Sequence, residues 1–306
     1  MTKVIFAGTS EFGIPALEVL KNNYDLQLII TQPDKPVGRK KILTPPPVKQ
    51  WAIANGIKVI QPEKISLTEN EIGEITPDIM VVASYGQIIP KKILDMPNKG
   101  SINIHSSLLP KYRGASPIQT AILNDDKETG VTIMQMDEEL DHGGIYAQKK
   151  VLIDEADNYQ SLHDKLAKTG AELLETTLPK ILDGALKPQP QQHEIATKVT
   201  LVNRKHGKID WTRPARQILQ QIKALNPEPG TWTTLDKKSV KILKAEEARN
   251  GRVDLPGKPY IENKDLLVKC GDYSLKLTQV QPEGKNPMSG RDYLNGIKNI
   301  ETKIFV

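Results

Sequence analysis

The chain has 306 residues, of which 38% are hydrophobic and 26% are charged, a composition typical of a soluble globular protein with about two domains. No apolar run approaches the roughly 18 residues of a membrane span, and the run Val4–Ala7 is too short for a signal peptide. The single cysteine, Cys270, excludes an internal disulfide and argues against a structural zinc site. We therefore expect a cytoplasmic protein that needs no metal.

The charge is distributed unevenly along the chain. The net charge is +5, but residues 191–306 hold 21 Lys and Arg against 13 Asp and Glu, a net +8. Residues 1–190 hold the remaining 21 basic and 24 acidic side chains, a net −3. A basic back half indicates either a solvated basic surface or a module that binds a polyanion behind a catalytic domain.

The first elements are typical of a doubly wound α/β sheet. The strand Val4–Ala7 precedes a turn over residues 8–13 and a helix with Pro15 in its first turn. A dinucleotide-binding pattern would need glycine in place of Ser10, and a phosphate loop would need lysine in place of Ile14. Both nucleotide sites are therefore disfavoured. Further strands are predicted at residues 26–31, 57–60 and 78–83.

A long loop separates the second strand from a helix expected at residues 48–54. Residues 32–47 contain five prolines, one glycine and four basic residues. Connections of this length are usually functional or disordered. A mobile surface loop and a basic finger that meets a phosphate backbone both remain open. In the second case, Ile42 and Leu43 would form an apolar wedge beside the charges.

The stretch Ser101–Pro117 contains a pair of polar side chains at a predicted strand end. Apolar and polar residues alternate from Ile102, and Pro110 cannot donate to a sheet, which places the strand end near His105. Asn103 lies two residues earlier, so both side chains point to the same face. A carboxamide that can hold a carbonyl oxygen thus lies beside an imidazole that can move a proton.

Two separated motifs resemble the formyltransferases that use 10-formyltetrahydrofolate. The first motif runs from Asn103 through residues 107–110 to residues 113–119, and the second is Gly130–Ile145. Matches of this length in two places are a specific signal. The resemblance implies an α/β enzyme with a Rossmann-like, mostly parallel sheet flanked by helices, followed by a small C-terminal β-barrel.

The resemblance also implies a reaction and a catalytic set. Asn103 and protonated His105 would donate hydrogen bonds to the formyl oxygen as negative charge grows on it. Asp141 from the second motif would favour the charged imidazole and relay a proton from the attacking amine. His142, beside Asp141, is an extra titrating group without an assigned role.

The donor implied by the resemblance is 10-formyltetrahydrofolate, which acts as a co-substrate. The folate would contact a turn that also positions His105, and the turn at residues 84–90 would line the pterin pocket, largely through backbone groups. The implied folate-contacting residues of the first turn are Ser107, Leu108, Leu109 and Pro110.

The second half of the chain is predicted to contain a linker followed by another domain. Apolar spacing predicts a long helix over residues 160–182 that Pro179 breaks or ends. The polar, proline-rich residues 187–193 mark a change of composition. A helix after Pro214 and several short strands predict an OB-like β-barrel. We expect a catalytic domain at residues 1–189, a basic linker at 190–207 and the barrel at 208–306, with strands at 231–234, 240–243, 266–270 and 273–280.

The acceptor amine is less closely defined than the reaction. The basic insertion and the basic second domain favour the branch of the family that formylates initiator methionyl-tRNA, with Arg39, Lys40 and Lys41 meeting tRNA phosphates. The same resemblance implies a monomer. Two alternatives remain open: an enzyme that formylates an amino-sugar nucleotide, and a nucleic-acid-binding protein whose Rossmann-like half is inert.

Overall fold

The computed structural model of the chain describes residues 1–38, 41–250 and 252–306. Contacts divide these residues into two compact units, and the boundaries expected at residues 189 and 207 remain predictions. In the described part of the chain, no helix is long and apolar enough to cross a membrane. The first unit comprises residues 1–117, 128–153 and 161–200, and the second comprises residues 118–127, 154–160 and 201–306.

The secondary structure follows the predicted order of elements. The strands are β1 (Lys3–Gly8), β2 (Asp25–Ile30), β3 (Lys35–Val37), β4 (Ile42–Thr44), β5 (Val59–Ile60), β6 (Ile79–Ala83), β7 (Ser101–His105), β8 (Arg113–Gly114), β9 (Glu128–Gln135), β10 (Ile145–Leu152), β11 (Lys198–Val199), β12 (Thr231–Leu235), β13 (Lys238–Ala248), β14 (Pro259–Glu262), β15 (Asp265–Lys269), β16 (Ser274–Pro282) and β17 (Met288–Ser289). The α-helices are α1 (Ile14–Asn23), α2 (Pro47–Ala54), α3 (Glu69–Ile75), α4 (Lys91–Leu94), α5 (Pro117–Leu123), α6 (Tyr159–Leu182), α7 (Ala215–Leu225) and α8 (Gly290–Asn295).

The first unit is built on one twisted sheet with the strand order β10-β9-β7-β6-β1-β2-β5. The strands from β5 to β7 pair in parallel, and β9 and β10 are added antiparallel at one edge. Every residue of β6 is buried, as its unbroken apolar run predicts for a strand covered on both faces. The mostly parallel Rossmann-like sheet expected from the sequence is confirmed.

Helix α6 packs closely against the part of the sheet that carries the polar pair. A Cβ atom at Gly170 would lie 2.8 Å from Cγ2 of Ile104, so only glycine permits this close approach without a shift in β7. The expectation that Pro179 breaks or ends this helix is wrong, because α6 continues to Leu182. Pro179 lies on an exposed face in the last turn, and the helix continues for three more residues although its ring provides no N–H donor.

The insertion at residues 32–47 contains regular structure that the sequence did not predict. Strands β3 and β4 pair as an antiparallel hairpin, and α2 begins at Pro47. The base of the hairpin is held at Asp34, whose carboxylate accepts hydrogen bonds from Lys49 at 2.8 Å and from Gln61 at 2.6 Å. These two hydrogen bonds lower the pKa of Asp34. The hairpin therefore has a fixed base.

The second unit is an antiparallel sheet with the order β12-β13-β16-β15-β14, with β17 added to β16. The C-terminal residues bridge the two edges: Val306 exchanges hydrogen bonds with Thr234 of β12, and Phe305 donates to the carbonyl of Gly257, two residues before β14. This connection gives the sheet a barrel-like closure. Strand β13 is longer than predicted and β14 was not predicted. The helix predicted after Pro214 is α7, and its apolar residues are buried: Ala215, Ile218, Leu219, Ile222 and Leu225.

One arginine organises a charged cluster within the second unit. Arg216 of α7 donates to Asp125 at 2.6 and 3.0 Å, and it also pairs with Glu155. Hydrogen bonds from Arg216 are the main reason why the pKa values of Asp125 and Glu155 are lowered. The cluster holds residues 118–127 and 154–160 against α7.

Candidate active site

The structure brings the three predicted catalytic side chains together at the carboxyl end of β7. Asn103 Nδ2 lies 3.4 Å from Asp141 Oδ1, and His105 Nδ1 lies 3.6 Å from the same oxygen. His105 and Asp141 are 6% and 9% exposed, so their charges interact in surroundings with little water. Two N–H donors therefore converge on one position, although both separations are long for a direct hydrogen bond.

The second ring nitrogen of His105 also faces an acceptor. Nε2 lies 3.0 Å from the carbonyl oxygen of Tyr112, which can only accept a hydrogen bond. Nδ1 faces the Asp141 carboxylate at 3.6 Å, so each ring nitrogen faces an acceptor, but only Nε2 lies within hydrogen-bond distance of one. The longer contact at Nδ1 makes this nitrogen the one available to a reacting group.

The turn after β7 is fixed mainly by Thr132 of β9. The Thr132 hydroxyl donates to the carbonyl of Ser107 at 2.6 Å and accepts from the amide of Leu109 at 3.1 Å. Gln148 of β10 adds a hydrogen bond to the carbonyl of Leu109 at 2.8 Å. The Ser107 hydroxyl donates to the carbonyl of Lys111, and its side chain and that of Leu109 are buried. These contacts fix the backbone of the turn that follows His105.

Asp141 adopts a constrained backbone conformation in the loop between β9 and β10. Its φ is +50°, a region that non-glycine residues rarely occupy and that surrounding contacts must maintain. Its carboxylate Oδ2 accepts a hydrogen bond from the amide of Gly114 at 2.7 Å. The side-chain amide of Gln191 donates to the carbonyls of Asp141 and Gly143 at 2.9 and 2.8 Å.

A buried arginine and two stacked histidines extend this network. Arg113 is 5% exposed and donates to Gln191 Oε1 at 2.6 and 3.1 Å and to His193 Nδ1 at 2.8 Å. The His193 ring stacks on His142 with 4.2 Å between the ring centroids and 12° between the ring planes. His142 Nδ1 in turn contacts Asp137 Oδ2 at 2.7 Å. His142, unassigned from the sequence, is therefore part of a connected network beside Asp141.

A cavity of about 410 Å³ opens beside the loop that carries Asp141. Ligand pockets for small molecules commonly have volumes of about 300 to 1,000 Å³. The lining is mainly charged, with two apolar side chains and His142. Its residues are Lys91, Leu94, Asp95, Gln135, Met136, Asp137, Glu138, Glu139 and His142.

Lys41, one of the three residues predicted to bind tRNA, directly precedes β4 of the β3–β4 hairpin. Arg39 and Lys40 lie outside the described residues. Lys41 is exposed, and the neighbouring side chains of Ile42 and Leu43 are 61% and 64% exposed. The hairpin thus presents apolar side chains beside a basic one, away from its fixed base.

Sequence reasoning missed several residues of the site because their roles depend on contacts distant along the chain. For Thr132 and Gly114, the sequence feature that could have identified them is their position inside the two matched motifs. Gln148 is an ordinary polar residue of an edge strand, and Gln191 is one in the segment predicted to be a linker. Nothing in their sequence surroundings distinguishes them. Within the described residues, no group of three or more His, Cys, Asp or Glu side chains could hold a metal ion.

Comparison with known sequences agrees with this geometry. Residues 2–178 match the formyl transferase family, and residues 202–298 match the formyl transferase C-terminal domain. The chain is 44% identical over 301 residues to the methionyl-tRNA formyltransferase of Bacillus licheniformis, which covers 97% of this chain and 95% of that protein. The enzyme of the same name from Bacillus subtilis is 42% identical, with the same coverage.

Solved structures with lower sequence identity share the fold. One is the N-formyltransferase of Helicobacter canadensis with folinic acid and dTDP-3-aminofucose, with a TM-score of 0.68, 23% identity, and coverage of 92% of this chain and 100% of that one. Another is HypX of Aquifex aeolicus with tetrahydrofolic acid, with a TM-score of 0.65, 14% identity, and coverage of 96% of this chain and 47% of that one. The family match and the relatives that align with nearly the whole chain show that this chain belongs to the formyl transferase family.

Proposed function

We propose that this chain transfers the formyl group of 10-formyltetrahydrofolate to the α-amino group of initiator methionyl-tRNA, which gives the N-formylmethionyl-tRNA used to start translation. The observation that carries the proposal is the convergence of Asn103, His105 and Asp141 at one buried point. The 44% identity to a methionyl-tRNA formyltransferase over nearly the whole chain supports the choice of acceptor.

The donor supplies an already activated formyl group, and the side chains of the chain handle charge and protons. As the amine attacks the formyl carbon, Asn103 Nδ2–H and His105 Nδ1–H would donate to the oxygen that becomes negative. Both groups point at Asp141 Oδ1, so a small rearrangement would aim them at a formyl oxygen instead. Apo hydrogen bonds of this length often tighten once substrate is bound.

Proton transfer would follow the attack. The new C–N bond leaves a positive charge on the attacking nitrogen, and Asp141 would take that proton because it is the carboxylate at this point. Breaking the bond from the formyl carbon to the folate nitrogen requires a proton on that nitrogen. His105 would give that proton from Nδ1, and the proton that Asp141 took would then pass to His105, so the pair returns to its starting charge state.

The cavity beside Asp141 suits a folate-derived donor. Its volume of about 410 Å³ would admit part of such a donor, and its mainly charged lining offers hydrogen-bonding partners; Asn103, His105, Asp141 and residues 107–110 lie outside the lining. The buried, anchored Ser107 and Leu109 would shape the site through the turn they form. Leu108 and Pro110, by contrast, are partly exposed and would contact the folate directly.

A basic and aromatic patch on the second unit supports a tRNA partner. Arg204 and Lys208 each lie about 6.0 Å from the ring centre of Trp232, and Lys241 is the strand neighbour of that tryptophan. None of these three cations pairs with a carboxylate among the residues that the structure describes. Unpaired cations beside an aromatic ring suit contacts with phosphates and bases.

A competition assay would test the acceptor directly. Purified protein and labelled 10-formyltetrahydrofolate would be incubated with initiator methionyl-tRNA, with a dTDP-linked amino sugar, and with both together. We expect label in the tRNA, with no reduction when the amino sugar is present. Label in the sugar alone would refute the tRNA assignment and leave the alternative acceptor.

The salt dependence of tRNA binding would test the patch on the second unit. Each lysine that neutralises a phosphate contributes about one unit to the slope of log affinity against log salt, so Lys208→Ala should lower the slope by about one. Lys276→Ala is a matched control because Lys276 already pairs with Asp265 at 2.9 Å. Equal slopes for the parent and Lys208→Ala would exclude this lysine from the interface.

A further inference from the structure

The segment of residues 187–200, here called the strap, is packed on both loops of the catalytic site. Gln189 exchanges two hydrogen bonds of 2.8 Å with Ile145, just after the Asp141 loop. Farther along, the carbonyl of Thr197 accepts from the amide of Arg113 at 2.8 Å, and Val199 accepts from Ala115. The strap therefore joins the loop that carries Asp141 to the one that carries Tyr112 and Gly114.

Gln191 is the strap residue that reaches deepest into this site. It is 5% exposed, although its neighbours Gln192 and His193 are exposed. Its Nε2 donates to the carbonyls of Asp141 and Gly143, one on each side of His142. One side chain thus fixes the direction of the backbone on both sides of the residue that follows Asp141.

The orientation of the Gln191 amide is set by Arg113. The guanidinium offers only donors, so the oxygen of Gln191 must face it, and two hydrogen bonds of 2.6 and 3.1 Å do so. The amide nitrogen must then face the two carbonyls. Reversing the amide would place its one oxygen against the two carbonyl acceptors and its NH₂ donors against the guanidinium donors.

We propose that Gln191 is a positioning residue for formyl transfer, which holds Asp141 in the orientation in which its carboxylate serves His105. This inference rests on the proposed function. Asp141 has a φ of +50°, and without the two hydrogen bonds from Gln191 its backbone would relax towards a commoner conformation. That relaxation would rotate the carboxylate away from Gly114, Asn103 and His105.

The kinetic test uses two variants of Gln191 and one control. Gln191→Glu keeps the size of the side chain and its contact with Arg113, but it replaces the donor to the two carbonyls with an acceptor. Gln191→Ala removes both contacts, and Gln192→Ala makes the same change at an exposed neighbour. We expect both Gln191 variants to lower kcat on the order of 100-fold with the KM for methionyl-tRNA within threefold, because misplacement by about 1 Å costs that much. Gln192→Ala should match the parent.

A second readout does not depend on catalysis. The amide of Gly114 donates to Asp141 Oδ2, whereas the flanking amides of Arg113 and Ala115 donate to the strap backbone. In Gln191→Glu we expect hydrogen exchange at Gly114 to become about tenfold faster or more, as expected when a charge-assisted hydrogen bond is lost. The Arg113 and Ala115 amides report whether the strap stays attached.

The outcomes separate this inference from the proposed function. Faster exchange at Gly114 alone, together with a lower kcat, supports positioning by Gln191. Parent-like exchange at Gly114 in Gln191→Glu overturns it, whether or not the parent transfers formyl groups to tRNA. A parent-like kcat in Gln191→Glu also overturns it. If the parent formylates a different amine, the same comparison of kcat is made with that amine.

Discussion

Replacing Asp141 with asparagine would test how the buried carboxylate contributes to catalysis. The change preserves the shape of the side chain and allows one oxygen to keep accepting from the Gly114 amide, now 2.7 Å from Oδ2. The other group would be an NH₂ that faces His105 Nδ1 across the present 3.6 Å. A donor would then face a donor, and the negative charge would be lost.

The size of the effect follows from that distance. Two unit charges 3.6 Å apart attract by about 4 to 5 kcal/mol at an effective dielectric constant of about 20. Because about 1.4 kcal/mol corresponds to a factor of ten, full loss would slow a step that needs the imidazolium by about 1,000-fold. Partial relaxation of His105 would offset some of this loss, so we expect Asp141→Asn to lower kcat by about 100- to 1,000-fold.

The assay is single-turnover formyl transfer to methionyl-tRNA at saturating donor. Glu172→Gln is the control, since it makes the same carboxylate-to-amide change in an exposed ion pair with Lys149, away from the site. We expect this control to stay within about threefold of the parent, as is usual for partly exposed ion pairs. A rate for Asp141→Asn within threefold of the parent would refute the electrostatic role given to Asp141.

Three further changes test other parts of the structure. Ile42→Ser combined with Leu43→Ser should raise the KM for methionyl-tRNA about 30-fold at unchanged kcat, because two exposed apolar side chains would each lose about 1 kcal/mol of contact with the acceptor. Gly170→Ala should lower the free energy of unfolding by about 1 to 3 kcal/mol in urea titrations, because its Cβ would lie 2.8 Å from a methyl group of β7. Arg216 lowers the pKa of the two carboxyls it pairs, so these groups stabilise the fold above about pH 4 and lose that contribution as the pH falls. Unfolding at pH 3 to 7 should therefore depend less on pH in Arg216→Gln than in the parent.

Each of these changes has an outcome that contradicts its reasoning. For the hairpin, Leu67→Ser is the control, since Leu67 is 67% exposed in a different part of the first unit. An equal KM for the hairpin variant and this control would show that the apolar tip does not contact the tRNA. Parent-like stability of Gly170→Ala would mean that α6 can move away from β7. Parallel pH profiles for Arg216→Gln and the parent would mean that other carboxyls dominate acid unfolding.

The sequence predicted the framework of the site because that framework rests on local patterns. The alternation around Asn103 and His105 defined both the strand and its shared face, and the structure agrees. The unbroken apolar run at residues 78–83 predicted a central strand for the same reason. Asp141 came from the resemblance, since an acid in an acidic loop has no local pattern that marks it.

The parts that the sequence did not predict depend on distant partners. Gln191 lies in a proline-rich stretch that resembles a free linker, and its burial follows from Arg113, 78 residues earlier in the chain. The β3–β4 hairpin contains Pro36, which normally disfavours a strand, but an isolated two-stranded hairpin leaves that position at an edge.

The most direct test of the account is the transfer of labelled formyl from 10-formyltetrahydrofolate to charged initiator methionyl-tRNA, with uncharged tRNA as the control. The parent should formylate only the charged tRNA, and His105→Ala should reduce the rate by about 100-fold or more while still binding the folate. A folded parent that binds folate but transfers no formyl group to methionyl-tRNA would contradict the proposed function. A parent-like rate in His105→Ala would contradict the proposed catalytic site.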